Sequence, residues 1–231
     1  MDESDGRAVD DCQPPVTLVA GSVAGTDAHR RPPRPLRRTA MLFGGSLTLG
    51  IGVAMLLTAD VGSDGFSTLV NGLAMGSGTE FVVANAAVSL VFLLVAAVRG
   101  LLPGIGTLVQ IVVVGSTVSL LLPVLDVPGS VVGQLLLLSA AFPVLAVGIV
   151  TYLGSHLGAG PAESAALAWD PPLPFRWSYS AVQLVGALVG WLLGATIGPG
   201  TVAVILLLGP VVDLTARLLR IDLHQGDAVS R

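Results

Sequence analysis

FVVANAAVSLVFLLVAAV, at residues 81–98, runs for 18 positions without an ionisable side chain. A helix of about 20 mostly apolar residues crosses the hydrocarbon core of a bilayer, so this stretch predicts a transmembrane helix. Further long apolar stretches occur at about 39–59, 104–125, 130–155, 177–195 and 200–218. We therefore predict an all-α polytopic membrane protein with six full-length transmembrane helices.

The composition of the chain is unlike that of a soluble domain. Of its 231 residues, 53% are hydrophobic and 11% are charged, whereas a soluble globular domain has about 25% charged residues. The chain contains no lysine, which excludes a phosphate-binding P-loop lysine and a Schiff-base lysine. Its single cysteine, Cys12, can form neither an intrachain disulfide nor a thiolate metal site.

The two ends of the chain are polar. Residues 1–38 begin with acidic side chains and end in a run rich in proline and arginine, a composition typical of a disordered tail. Arginines of this run, together with Arg217 and Arg220, flank the apolar region, and the positive-inside rule places such residues in the cytoplasm. We predict a multi-pass protein of the bacterial inner membrane with cytoplasmic N- and C-termini, a short C-terminal tail at 220–231, and no nucleic-acid partner.

Two apolar pieces, at 65–76 and 161–169, are too short to cross a bilayer comfortably. They predict two short half-helices or re-entrant helices, which are tolerated where protein or a wet cavity surrounds them. If both pieces cross instead, the chain has eight spans. The six-span arrangement places Arg99 in the cytoplasm and is the one we favour.

The chain contains two internal repeats, at 39–125 and 130–219. With a shift of 96 residues Gly62 matches Gly158, and with a shift of 94 residues the Gly-x-Gly-Thr motif at 104–107 matches the one at 198–201. Each half reads as a long helix, a glycine turn, a short helix and two more long helices. Duplicated membrane units are frequent in transporters, where the site lies at the repeat interface. Six spans imply inverted repeats, and eight spans imply parallel ones.

Four short motifs resemble those of a known family. They are LGAGPAE at 157–163, LPGIGT at 102–107, GPGT at 198–201 and VGSDGFS at 61–67. In this order and spacing they resemble the YczE/YyaS/YitT family of uncharacterised bacterial integral membrane proteins, over residues 39–220. In the first half the family has an acidic residue where this chain has Ser67, and Asp64 stands three residues earlier. The resemblance implies a helical membrane fold and supplies no substrate.

Four side chains form the candidate polar site. Glu163 follows a glycine turn in the second short piece, and an ionisable residue at membrane depth usually faces a cavity or the bundle interior. The alternative is that its carboxylate only complements the positive end of a helix. Asp64 and Ser67 occupy the equivalent turn of the first half, and His156 is a candidate proton relay. No metal-binding motif is present, so no metal or cofactor is predicted.

The glycines in these motifs predict tight turns and close helix approaches. The turn positions are Gly62, Gly158, Gly160, Gly104, Gly106, Gly198 and Gly200. A second set, Gly186, Gly190 and Gly194, forms a stripe along one face of a helix, and such stripes let two backbones approach closely. This stripe predicts a homo-oligomer contact. The polar residues Asn85, Gln110 and Gln183 are interpreted as hydrogen-bonding contacts between helices.

These features favour a small-solute or proton-coupled transporter with its site at the repeat interface. The alternative is a non-transporting membrane accessory protein that supports a protein partner. An enzyme is not predicted, because the sequence offers no nucleophile–base pair and no metal set. The predicted surroundings are the lipid bilayer, and the predicted cargo is an unidentified small solute.

Overall fold

The computed structural model describes residues 35–169, 172 and 175–221, and these residues form eight α-helices and no strand. In chain order they are α1 (Pro35–Thr58), α2 (Gly65–Ser77), α3 (Phe81–Val98), α4 (Ile105–Leu121), α5 (Val131–Leu153), α6 (Pro161–Leu167), α7 (Phe175–Leu192) and α8 (Pro199–Leu219). The predicted all-α class is confirmed, and the helices lie within a few residues of the predicted segments.

Four of the helices are long and apolar enough to cross a membrane, namely α1, α3, α5 and α8. Helix α4 is apolar but has 17 residues, while α2 and α6 have 13 and 7. Helix α1 begins at Pro35, four residues before the predicted start, so Arg37 and Arg38 belong to its first turn. The predicted N-terminal tail up to residue 34, and residues 222–231 of the C-terminal tail, lie outside the described residues.

The short helices begin and end at residues that favour helix termini. Asp64 precedes α2 in an extended conformation, and its carboxylate accepts a hydrogen bond from the backbone N–H of Ser67 at 3.0 Å, the usual N-cap arrangement. The helix ends at Gly78, which has the left-handed conformation common after helix C-termini. Helix α6 begins with Pro161 in its first turn, where the missing N–H of proline costs nothing.

Helices α1 and α5 pack against each other at the centre of the molecule through glycines. A Cβ atom on Gly52 would stand 2.8 Å from Cγ of Leu145, and a Cβ atom on Gly148 would stand 2.7 Å from Cα of Leu49. Nearer the start of α1, Gly45 lies against Tyr152. Because rising numbers in α1 meet falling numbers in α5, the two helices run antiparallel.

Each of the remaining helices packs on at least one other helix. Helix α4 packs on α1 and α8 on α5, while α2 packs on α7 and α6 packs on α3 and α7. Gly186 and Gly190 are buried where α7 meets α2, since a Cβ on either would collide with a backbone carbonyl oxygen of α2. These two members of the predicted stripe therefore pack within the chain. Gly194 is exposed, and nothing lies within 4 Å of the position that a Cβ would take there, so association of two copies stays a prediction.

The outer surface carries many large apolar side chains. On α3 alone, Leu90, Val91 and Leu94 are each more than half exposed. Soluble monomers rarely expose contiguous apolar surface on this scale, and helices satisfy all of their backbone hydrogen bonds internally, as a bilayer requires. The fold and its apolar surface are consistent with a membrane protein.

Candidate functional site

Two turns with matching backbone geometry lead into the two short helices. Asp60 and His156 both have φ of 52°, an uncommon conformation for residues other than glycine. Two positions later, Gly62 and Gly158 have φ of 104° and 148°. In each case the chain ends a long helix, reverses through left-handed backbone and enters a short helix.

Each turn also holds the N-terminus of a distant helix. The N–H of Gly200 donates to the carbonyl of Val61 at 2.8 Å, and the N–H of Gly106 donates to the carbonyl of Leu157 at 3.0 Å. The backbones approach so closely that a Cβ on Gly198 or Gly104 would collide with the same two carbonyl oxygens. The glycines predicted from the motifs lie at these contacts.

A cavity of about 90 Å³, measured as space open to the centres of water molecules, lies between the first turns of α2 and α6. One water needs roughly 10–15 Å³ by this measure, so the cavity has room for several. Asp64 and Ser67 line it from α2, and Glu163 lines it from α6. Its other polar lining residues are Asn85, Ser89, Gln110, Tyr179 and Gln183.

Glu163 lies in a hydrogen-bonded cluster that joins three helices. The hydroxyl of Tyr152 on α5 donates to Glu163 Oε1 at 3.3 Å, and the side-chain amide of Gln110 on α4 hydrogen-bonds to the same hydroxyl. Gly160 provides the room, because a Cβ there would collide with both Glu163 Oε2 and the Gln110 carboxamide. The second carboxyl oxygen of Glu163 and the Gln110 oxygen therefore converge on one glycine.

Asp64 lies across the cavity in a second cluster. Besides capping α2, it is close enough to Glu163 for the two carboxyl groups to interact electrostatically. Gln183 of α7 accepts a hydrogen bond from the Phe66 N–H at 3.0 Å and donates to the Tyr179 hydroxyl at 3.0 Å. The start of α2 is thus tied to α7.

Two buried polar atoms of residues that line the cavity have no hydrogen-bond partner among the described residues. They are the hydroxyl oxygen of Ser89, a residue that is 0% exposed, and Oε1 of Gln110, a residue that is 7% exposed. An unsatisfied buried polar group costs on the order of 1–3 kcal/mol.

The structure brings together three of the four predicted site residues, Glu163, Asp64 and Ser67. His156 is exposed and is not among the residues that line this cavity. Its backbone carbonyl accepts a hydrogen bond from Arg38 Nη2 at 2.7 Å, and the carbonyl of Ser155 accepts one from Arg38 Nε at 2.8 Å. The turn at His156 is thereby fastened to the start of α1.

Sequence reasoning did not place Tyr152, Tyr179, Gln110 or Gln183 in the site. The sequence does contain a pattern that could have pointed to some of the residues that line the cavity. Asn85 and Ser89 are four apart on α3, and Tyr179 and Gln183 are four apart on α7, with the two pairs separated by 94 residues. Residues four apart share a helix face, so each helix presents a polar pair at the same repeat position.

The chain belongs to a family of unknown function (DUF6198), whose model matches residues 36–217. It is similar to an uncharacterised protein of Haemophilus influenzae, with 26% identity over 181 residues that cover 78% of this chain and 83% of the relative. No solved structure matches the chain significantly. The similarity to the YczE/YyaS/YitT family remains a resemblance in motifs.

Proposed function

We propose that this chain is a multi-pass carrier of the bacterial inner membrane that moves a small solute in exchange for, or together with, protons. In this proposal six full-length helices and two short re-entrant helices form two inverted repeats. Both termini are cytoplasmic, and the transport site is the cavity between α2 and α6. The role is not enzymatic.

Reciprocal contacts between α1 and α5 support the inverted repeats. Gly52 packs on Leu145 and Gly148 packs on Leu49, and each residue lies 96 positions from its counterpart. When a residue of one half contacts a residue of the other half, and their two counterparts make the same contact in reverse, the halves are related by a two-fold axis. Since α1 and α5 are antiparallel, that axis is perpendicular to the helices and lies in the membrane plane. Parallel repeats would require α1 and α5 to run in the same direction.

The positions of the arginines support a cytoplasmic location for both termini. Arg38 of α1 contacts the turn after α5, and Arg99 after α3 donates to the carbonyl of Ala168 at 3.1 Å and stacks on Trp169. Ile221, next to Arg220, lies against Gly154 at the end of α5. The arginines thus gather at one end of the helices, which the positive-inside rule assigns to the cytoplasm.

The depth of the cavity carries the functional proposal. Helix α2 runs parallel to α7, with Gly65 against Gln183 and Gly72 against Gly190, so α2 begins about halfway along α7. A site formed by the starts of two short helices near the midplane, at a repeat interface, is the usual arrangement in secondary transporters. Carboxyl groups at that depth are costly and are typical of substrate and proton pathways.

The alternative is a membrane accessory protein that does not transport. A dry interior and an exposed groove of small residues would favour it. Here the interior contains a cavity with two carboxyl groups in a largely apolar lining, and Gly186 and Gly190 are covered by α2. Both observations support the carrier over the accessory protein.

Proton flux into proteoliposomes under an imposed potential tests the proposal. We expect the wild-type protein to conduct protons in a coupled, saturable manner and Glu163→Gln to lose most of that flux, because the amide cannot release a proton. Glu80→Gln is the matched control. Glu80 is exposed at the start of α3, its side chain makes no cap hydrogen bond, and it is not among the residues that line the cavity, so this variant should retain wild-type flux.

Equal flux in wild type and Glu163→Gln would remove Glu163 from the pathway. Absence of flux from the wild type would remove the proton coupling and place the accessory function first. Retention of fold in each variant is measured by size-exclusion chromatography and by the unfolding temperature in detergent.

A further inference from the structure

The described lining of the cavity carries two carboxyl groups and no basic side chain. Asp64 and Glu163 contribute carboxyl groups, and Ser89 Oγ and Gln110 Oε1 have no partner among the described residues although both side chains are more than nine-tenths buried. None of the described lining residues is an arginine, lysine or histidine. The lining is therefore acidic and contains unpartnered oxygen atoms.

The imbalance is sharpest at Glu163. Its Oε1 already accepts from Tyr152, and the Gln110 amide already interacts with that tyrosine. Glu163 Oε2 and Gln110 Oε1 then face the same side of Gly160. The Gln110 oxygen has no partner among the described residues and is an acceptor, so a donor placed between it and the carboxyl group would satisfy it. Either a proton on Glu163 or an N–H group of a bound cation supplies such a donor.

We propose that this cavity binds a small organic monocation with N–H donors, of the alkylammonium or alkylguanidinium class, in place of the proton on Glu163. The inference rests on the proposed function, because it names the cargo of the same site. When the cation binds, the O–H bond of Glu163 breaks and its proton leaves to water. The carboxylate then pairs with the cation, so the charge in the cavity is unchanged by this binding step.

The rest of the lining favours an organic cation over a metal ion. Leu49, Val53, Val114 and Leu145 contribute apolar side chains to the lining, and Phe66 offers an aromatic ring of the kind that attracts cations. Among the described residues there is no group of three histidine, cysteine, aspartate or glutamate side chains that could hold a metal. A ligand with one charged end and a short hydrocarbon body matches both parts of the cavity.

Three ionisable groups face Glu163 and set its charge state together with the cargo. They are Asp64 before α2, Tyr152 on α5 and Tyr179 on α7. The polar lining residues of α3 and α4, Asn85, Ser89 and Gln110, are uncharged. A cation that binds here therefore replaces a proton on a carboxyl group. The described residues of this site include no basic side chain.

Titration calorimetry on the full-length protein in detergent at pH 5 tests the inference. The probes are ethylguanidinium, which stays charged at this pH, and ethylurea, its neutral isostere. We expect ethylguanidinium to bind at least about tenfold more tightly than ethylurea, a difference of about 1.4 kcal/mol. Repeating the titration in buffers with different heats of ionisation should show proton release on cation binding, because binding and deprotonation of Glu163 are linked.

Matched variants assign the effect to the cavity. Glu163→Gln should release no proton and bind ethylguanidinium at least about tenfold more weakly, whereas Glu80→Gln should match the wild type. Gln110→Leu removes the second acceptor with little change in volume and should also weaken binding. It keeps the inference testable if Glu163→Gln fails to fold.

Equal affinity for ethylguanidinium and ethylurea would overturn the inference, as would displacement of ethylguanidinium by equimolar K⁺. The outcome for the carrier proposal is read separately from the proteoliposomes. Flux that depends on Glu163 without cation binding overturns the cargo class and leaves the carrier. Cation binding without flux leaves the cation site and overturns the carrier.

Discussion

The turn from α1 into α2 and the turn from α5 into α6 share a backbone but differ in their side chains. Both have a left-handed residue followed two positions later by a glycine of positive φ, and both accept a hydrogen bond from a Gly-x-Gly-Thr motif. Ser67 in the first half occupies the position of Glu163 in the second, and Asp64 occupies that of Gly160. The acidic group therefore lies in the first turn of α6 in the second half, and at the cap of α2 in the first half.

This comparison distinguishes the glycines that the backbone of both turns requires from the side chains that line the cavity. The close approaches admit only glycine, so both turns retain it. The side chains that face the cavity are free to differ, and each half supplies a different part of the polar lining. Glu163 belongs to a cluster with Tyr152 and Gln110, while Asp64 caps α2 beside Gln183.

The largest effect is expected from alanine at the two turn glycines. Gly62→Ala and Gly158→Ala each combine a positive φ with a collision, against Thr201 and Thr107 respectively. Positive φ costs a non-glycine residue about 1–2 kcal/mol, and overpacking costs about 1–3 kcal/mol. We expect each variant to lose about 2–4 kcal/mol of stability, measured as a lower unfolding temperature in detergent.

Gly100→Ala separates the cost of a positive φ from the cost of overpacking. Gly100 has φ of 82° but nothing within 4 Å of its Cβ position, so only the backbone cost of about 1–2 kcal/mol should appear. If Gly62→Ala and Gly158→Ala are no worse than Gly100→Ala, the close approach of the turns to α8 and α4 is wrong. If only one of them is worse, the two turns are not equivalent.

A smaller effect is expected where α2 packs on α7. In Gly190→Ala the new methyl group would collide with the carbonyl of Thr68, and we expect a loss of about 1–3 kcal/mol. Gly209→Ala in α8 is the control, since nothing lies within 4 Å of that Cβ position. A neutral Gly190→Ala would contradict the packing of α2 on this face and leave the stripe open to a second copy of the chain.

The smallest effect is expected at the cap of α2. Asp64→Ala removes the hydrogen bond to the Ser67 N–H and should cost about 1 kcal/mol, whereas Asp64→Asn keeps an N-cap acceptor and should cost less. Both are measured as shifts in unfolding temperature. Equal losses for Asn and Ala would mean that the carboxylate charge matters more than the cap.

Helix positions could be predicted from the sequence because they depend on local patterns. The uncharged run at 81–98 coincides with α3, and the glycine and proline at 160 and 161 mark the start of α6. The position of Glu163 in a short helix, and its proximity to the first-half turn, were predicted from the shift of 96 residues that aligns Gly62 with Gly158. These features depend on spacing along the chain, which the sequence shows directly.

The partners of Glu163 could not be predicted because they come from other helices. Gln110 and Gln183 read as helix contacts, and Tyr152 lies within an apolar run. Their convergence depends on how α4, α5 and α7 are rotated around the cavity, and α4 and α5 are too weakly amphipathic for the sequence to determine their rotation. The same limit applies to Gly186 and Gly190, whose partner is α2 of the same chain.

The claim on which the account rests is that the two turns enter the membrane from opposite faces and meet at mid-depth. Side-specific labelling tests it with Cys12→Ser as the background and one cysteine added at a time. Leu102, between α3 and α4, and Val127, between α4 and α5, are both exposed. With six spans, an impermeant maleimide should label Val127→Cys in intact spheroplasts and should label Leu102→Cys only after lysis. The reverse result would indicate eight spans with parallel halves and would contradict the account.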